Sequence, residues 1–105
     1  MSARTADEIR GIIDDELKSE PDIKNVFGLD LTKRLIAPTM QKYWDSSDKK
    51  SFENLWTVLE ETPDKNGYVI YFDEESKMFG LGIQSDNELF DIGNYGTFIK
   101  TLYSM

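Results

Sequence analysis

The chain has no cysteine and no histidine among its 105 residues. Without cysteine, disulfides, thiolate catalysis and cysteine-ligated zinc are excluded, which fits a reducing compartment. The missing histidine excludes more, because its side chain has the unperturbed pKa nearest neutrality. Histidine-based triads, two-histidine metal sites and imidazole proton shuttles cannot be built. No Asn-x-Ser/Thr sequon occurs, no apolar run approaches transmembrane length, and Met-Ser-Ala-Arg-Thr at the start lacks a signal-peptide pattern. A cytoplasmic setting is the expectation. Basic residues are scarce as well: 12 stand against 20 acidic ones, for a net charge of −8. Such a chain is repelled by nucleic acid and by anionic membranes, and it attracts a basic protein. The same charge also keeps a protein soluble.

What is present suits one globular domain. The hydrophobic fraction is 39%, ordinary for a folded domain, and the length allows one core. The organising stretch runs from Tyr68 to Ile92, where three aromatic and β-branched runs are separated by polar turns. That is the pattern of an antiparallel meander. Alternation places Ile70, Phe72, Phe79, Leu81, Phe90 and Ile92 on one face, which is the expected core face. The opposite face carries Val69, Tyr71, Met78, Gly80, Gly82 and Leu89. That second face needs a cover, which another part of the chain, a ligand or another protein can supply.

Upstream, Thr5 and Glu8 have capping-box spacing, and Ile9, Ile12, Ile13 and Leu17 form a helical stripe that should end before Pro21. Asp14, Asp15 and Glu16 lie mostly off the stripe and read as a solvated face. The segment from Pro21 to Gly28 reads as irregular, with Val26 and Phe27 as anchors into the core. Asp30 is placed to cap a helical turn carrying Leu31, Leu35 and Ile36, closed by Pro38. Thr39 to Trp44 then reads as a strand, with Met40 and Trp44 on one side and Tyr43 on the other. Phe52 to Glu61 matches a helical stripe and a two-faced strand equally well. The Asp64-Lys65-Asn66-Gly67 turn into Tyr68 decides for a strand, with glycine where positive φ is needed. Asn94 is a cap for a final helix with Phe98, Ile99 and Leu102. The expected fold is therefore α+β: a five-stranded antiparallel meander sheet with an N-terminal and a C-terminal helix packed on it, as a single domain over 1–105.

Leu55-Trp56-Thr57-Val58-Leu59-Glu60-Glu61, Phe79-Gly80-Leu81 and Gly93-Asn94-Tyr95-Gly96-Thr97-Phe98 carry a resemblance. They are similar to a family of small bacterial α+β proteins in which a tryptophan-bearing strand, a Phe-Gly-Leu strand and a Tyr-Gly-x-Phe helix start follow in this order. The resemblance covers about the C-terminal half. It implies a bacterial cytosolic origin and a sheet-forming Leu55 run, and it implies no activity.

Chemistry without histidine or cysteine falls to carboxylates, lysine, tyrosine and hydroxyls. A working carboxylate needs a raised pKa, hence burial or a close like charge. Asp91, between Phe90 and Ile92, is the first candidate and Asp73 the second; both also read as solvated or turn-forming acids. Asp73-Glu74-Glu75-Ser76-Lys77 reads as a hairpin turn that projects three acids together. Asp86-Asn87-Glu88 lacks the spacing of a calcium loop, and Ser46, Ser47 and Ser51 have no base beside them. Gly80 and Gly82 lie within a strand, not before a helix, so close approach of a neighbour explains them better than phosphate binding.

Three functions follow from this pattern. The leading one is a non-enzymatic protein-binding or inhibitory module, immunity- or antitoxin-like, with Asp73, Glu74 and Glu75 meeting a basic protein. The second is a small-ligand pocket on the glycine-bearing face, Gly80 and Gly82, lined by Tyr71, Tyr95 and Trp56. The third is an enzyme using Asp91 with a tyrosine or lysine. No cofactor or metal is called for, no nucleic acid or membrane is expected as partner, and a homodimer is compatible with all three.

Overall fold

The computed structural model describes residues 6–19, 25–26, 29–30, 35–45, 51–61, 67–85 and 88–104. Helix α1 (Ala6–Ser19) comes first, followed by a two-residue pair, β1 (Asn25–Val26) and β2 (Leu29–Asp30). Strands β3 (Leu35–Asp45), β4 (Phe52–Glu60), β5 (Gly67–Asp73), β6 (Met78–Ser85) and β7 (Glu88–Gly96) follow, and α2 (Phe98–Tyr103) ends the order. Thus the α+β class is present, with two helices and five main strands among the described residues.

The expected open meander is not. Strands β3 to β7 pair antiparallel in sequence order, and β7 then returns to β3 to close a barrel. The closing pair is parallel, Tyr43 opposite Leu89 and Asp45 opposite Asp91. An odd number of alternating strands leaves the first and last pointing the same way, so closing five must make one parallel seam. The sheet is therefore mixed.

Closure is helped by irregular register. Between Leu35 and Thr39 the β3–β4 ladder slips, and Pro38, with no N–H to give, lies in that slip. Leu35 and Ile36 therefore open a strand and do not sit on a helical turn, and Asp30 pairs in β2 with Asn25. Of the segment expected to be irregular, Asn25–Val26 is strand; the expected Thr5 cap, the Val26 and Phe27 anchors and Leu31 lie outside what is described. A second slip, between Thr57 and Leu59, makes Val58 an extra residue of β4. Alternation breaks there, so Leu59 joins Val58 on the outer face while Leu55 and Thr57 stay inside. This is why the run matched neither period cleanly, although it is a strand. In β7 two further slips make Ile92 and Tyr95 the extra residues. Bulges bend strands and increase twist, as a narrow barrel requires.

Two apolar clusters result, one on each side of the same strands. Outside, α1 and α2 cover Ile70, Phe72, Phe79 and Leu81, with Ile9, Ile13, Val58, Leu59, Phe98 and Leu102 completing the cluster. Phe79 sits between two rings, 4.9 Å from Phe72 and 5.7 Å from Phe98. Phe90 and Ile92, expected in this core, are half-buried and exposed respectively. Inside the barrel lie Tyr43, Leu55, Val69, Tyr71 and Leu89. Apart from Met78, which is exposed, the second face of the meander is thus covered from within, by the barrel's closing on itself.

Helix α2 is shorter than the sequence suggests, because β7 runs on to Gly96, whose φ of +104° ends it. The cap is Thr97, accepting from Lys100 N–H at 3.1 Å, and Asn94 belongs to β7. A six-residue helix cannot stand alone. Glu16 of α1 supplies a second cap across the structure, accepting from the N–H groups of Phe98 (3.3 Å) and Ile99 (3.1 Å). So Glu16 is no solvated acid, whereas Asp14 is exposed beside Arg10 at 3.7 Å. Glu16→Ala should cost about 1–2 kcal/mol, the value of a lost charged cap, in urea-melt midpoints at neutral pH. No helix among the described residues is long and apolar enough to cross a membrane.

Candidate functional site

Strand ends decide where the acids go. β3 ends on Asp45, β4 begins with Phe52 and Glu53, and β5 ends on Asp73 at the turn that carries Glu74 and Glu75. Because β7 meets β3 only at the end of β3, Asp91 is delivered to the same end of the barrel. A pocket of about 260 Å³ opens there, lined by Tyr43, Asp45, Ser51, Phe52, Glu53 and Asp91. Ser51 is held close by its carbonyl, which accepts from Asp45 N–H at 2.9 Å. Among the described residues no group of carboxylates is arranged to hold a metal ion.

Tyr43 lines this pocket, and Tyr71 packs behind it inside the barrel. Tyr43 and Tyr71 meet edge to face, 5.2 Å between centroids. Tyr43's hydroxyl pairs with Thr57's at 2.5 Å, and burial, more than any neighbour, pushes its phenol well up. Tyr71's hydroxyl is 2.6 Å from Asp91 Oδ1 and 2.6 Å from Asn94 Oδ1. A phenol has one proton, so it donates one hydrogen bond, to the carboxylate; both contacts are satisfied when Asn94 presents its amide N–H to the phenol oxygen. Strict alternation would put positions 91 and 94 on opposite faces. The bulge at Ile92 brings both onto Tyr71.

The carboxylates repel one another. Loss of surrounding water raises Glu53 first, and Asp73, Asp91 and Glu75 push it the same way. Asp91 is raised by burial, against the hydrogen bonds from Tyr71 and the Gly93 N–H, with Asp45 and Asp73 adding to the rise. Burial and the Asp91 contact push Tyr71 up too, so it keeps its proton at neutral pH and donates. For both acids the folded chain binds the proton more tightly than the unfolded one. Their penalty on folding is absent below the ordinary carboxylate range and grows as pH rises through the raised values. Glu53→Gln should therefore stabilise at pH 7, by less than about 0.5 kcal/mol at so exposed a position, and the gain should vanish below about pH 4. Thermal melts at the two pH values check it.

The acids of the turn do not project freely. Asp73 Oδ1 accepts from Glu75 N–H at 3.0 Å, Asp73 O accepts from Lys77 N–H at 2.8 Å, and Lys77 turns at φ +60°. Glu74 accepts from Trp56 Nε1 at 2.5 Å, on the outer wall. Of the expected binding residues, Asp73, Glu75 and Asp91 all act on Glu53 at the barrel end, and Asp73 acts on Asp91 together with Asp45; Asp45 and Glu53 are the two acids the sequence did not single out. Their signal was positional: each is the polar residue ending or opening a strand beside an aromatic.

The three residues suggested to line a ligand pocket are not together. Tyr71 is inside the barrel, Trp56 is half-buried outside it, and Tyr95 is an exposed bulge residue. The glycine-bearing face is filled. A side chain at Gly80 would meet Tyr71's ring, and one at Gly82 would lie 2.9 Å from both Tyr43 Cε2 and the Phe90 carbonyl. No family model matches the chain, and no curated protein or solved structure matches it significantly.

Proposed function

We propose that this chain is a non-enzymatic protein-binding module, inhibitory in the manner of an immunity protein or antitoxin, that captures a basic protein at the acidic end of its barrel. The observation that carries the reading is the convergence of Asp45, Glu53 and Asp91 on one pocket, with Asp73 and Glu75 close enough to raise the Glu53 carboxyl. Mutual repulsion of this kind is relieved by an approaching cation. At about 260 Å³ the pocket is smaller than the roughly 300–1,000 Å³ of sites for organic ligands. Its acidic wall over Tyr43 and Phe52 suits one lysine or arginine side chain of a partner.

A pull-down from extract of the native host, at low and at high salt, tests this reading. A basic protein should be captured at low salt and released at high salt. It should not be captured by the variant Asp45→Asn, Glu53→Gln, Asp73→Asn, Glu75→Gln, which leaves the Tyr71–Asp91 bond in place. A salt-insensitive partner, or only a tightly held small molecule, would count against it.

A further inference from the structure

We infer that the docking surface continues from the acidic mouth along an apolar stripe on the outer wall, made by Phe52, Trp44, Phe90, Ile83 and Tyr68, and that the partner presents apolar side chains beside its basic ones. This rests on the reading above and adds the chemistry of the partner. The register makes the stripe. Trp44 lies directly opposite Phe52 on one side and Phe90 on the other; Phe90 lies opposite Ile83, and Ile83 opposite Tyr68. Directly opposed residues project from the same face. Tyr43 and Leu89 point into the barrel, so Trp44 and Phe90, one step on, point out of it.

The line crosses all five strands of the wall, and none of its members belongs to the cluster that α1 and α2 cover. Phe52 is 52% exposed, Ile83 37% and Tyr68 36%, with Trp44 and Phe90 half-buried between them. Trp44 and Phe52 hold each other edge to face at 5.7 Å, and Lys42 lies over both rings.

Charge decides the occupant. Asp45, Glu53 and Asp91 each follow a stripe residue directly in sequence and line the pocket beside it. An aromatic centre beside a charged rim is the usual anatomy of a recognition patch, in which charge steers the encounter and the aromatics slow departure. A second copy would bring one −8 surface against another. A basic surface with its own apolar residues satisfies both parts of the patch.

Two synthetic peptides of equal length and charge are the probes, one of lysine and leucine in amphipathic helical order and one of lysine and serine. Binding is followed by fluorescence titration at low salt against the native protein and the variant Tyr68→Ser, Ile83→Ser, which leaves the pocket lining intact. The lysine–leucine peptide should bind the native protein at least about tenfold tighter, and the variant should bind both peptides alike, with salt dependence unchanged. Both positions are exposed, and Ile83→Ser alone repeats the comparison should the double variant melt early. If the variant keeps the preference, the stripe is not a docking surface while the acidic mouth stands. Should neither peptide bind at low salt, the reading beneath it fails as well. A native dimer in sedimentation that the variant abolishes would give the stripe to a second copy and overturn the inference.

Discussion

Alanine at Gly80 should destabilise the protein by about 3 kcal/mol or more. The added carbon would land on Tyr71's Cζ and hydroxyl and come within 2.7 Å of the Gly93 carbonyl oxygen. The backbone on the far side cannot yield, so the phenol must. Overpacking of this kind costs roughly 1–3 kcal/mol, and breaking the partly buried bonds to Asp91 and Asn94 adds roughly 1–2 kcal/mol. Against a total stability of about 5–15 kcal/mol this is a large share. Gly11→Ala is the control. A carbon added there meets nothing within 4 Å, and its place inside α1 predicts a gain of about 0.5–1 kcal/mol. Denaturant melts of the two variants should move in opposite directions. Equal, small shifts would mean that the barrel interior is not closely packed around Tyr71.

Phe98→Ala tests the other side of the wall. Phe98 is fully buried, edge to face against Phe79, and stands at the first position of the six-residue α2. Removing a buried phenylalanine costs about 3–5 kcal/mol and leaves the six-residue helix to Leu102, Ile99 and the Glu16 cap. Hydrogen exchange should show α2 losing protection before the barrel strands, because the Tyr43–Tyr71 cluster lies on the opposite face of the same sheet. Barrel amides that open together with α2 would mean that the two clusters form one cooperative unit.

Why these two clusters exist was only partly legible in the sequence. Alternation placed Ile70, Phe72, Phe79 and Leu81 together correctly, because β5 and β6 pair residue for residue from Tyr68 to Asp73. Phe90 keeps the outward face that alternation gives it but lies outside the cluster that the helices cover, while Ile92 is itself the extra residue of a bulge, and an extra residue moves everything after it to the other face. The glycines at 80 and 82 correctly announced a close approach. What approaches them is Tyr71 and Tyr43 across a narrow barrel, and closure depends on curvature, which has no signature in a hydrophobic period. The Glu16 cap was hidden for a similar reason: its partners are more than eighty residues away in the chain.

The acidic end was half visible. Asp73, Glu75 and Asp91 stood out as individual acids, but Asp45 and Glu53 are unremarkable until β3 and β7 meet in parallel. Glu74 shows the opposite failure. The sequence grouped it with its neighbours, and the fold turns it to Trp56.

The most direct test of the proposed function is the rate at which the captured basic protein associates with the chain as salt is varied. Stopped-flow tryptophan fluorescence can follow it for the native protein and for the variant neutralised at Asp45, Glu53, Asp73 and Glu75. Steered association should be fastest at low salt and fall by at least about tenfold as the Debye length shrinks from roughly 30 Å at 0.01 M to 3 Å at 1 M. The variant should be slow throughout, with little salt dependence left. A native rate that does not change with salt, or a variant that associates as fast as the native protein, would contradict capture through the acidic end of the barrel.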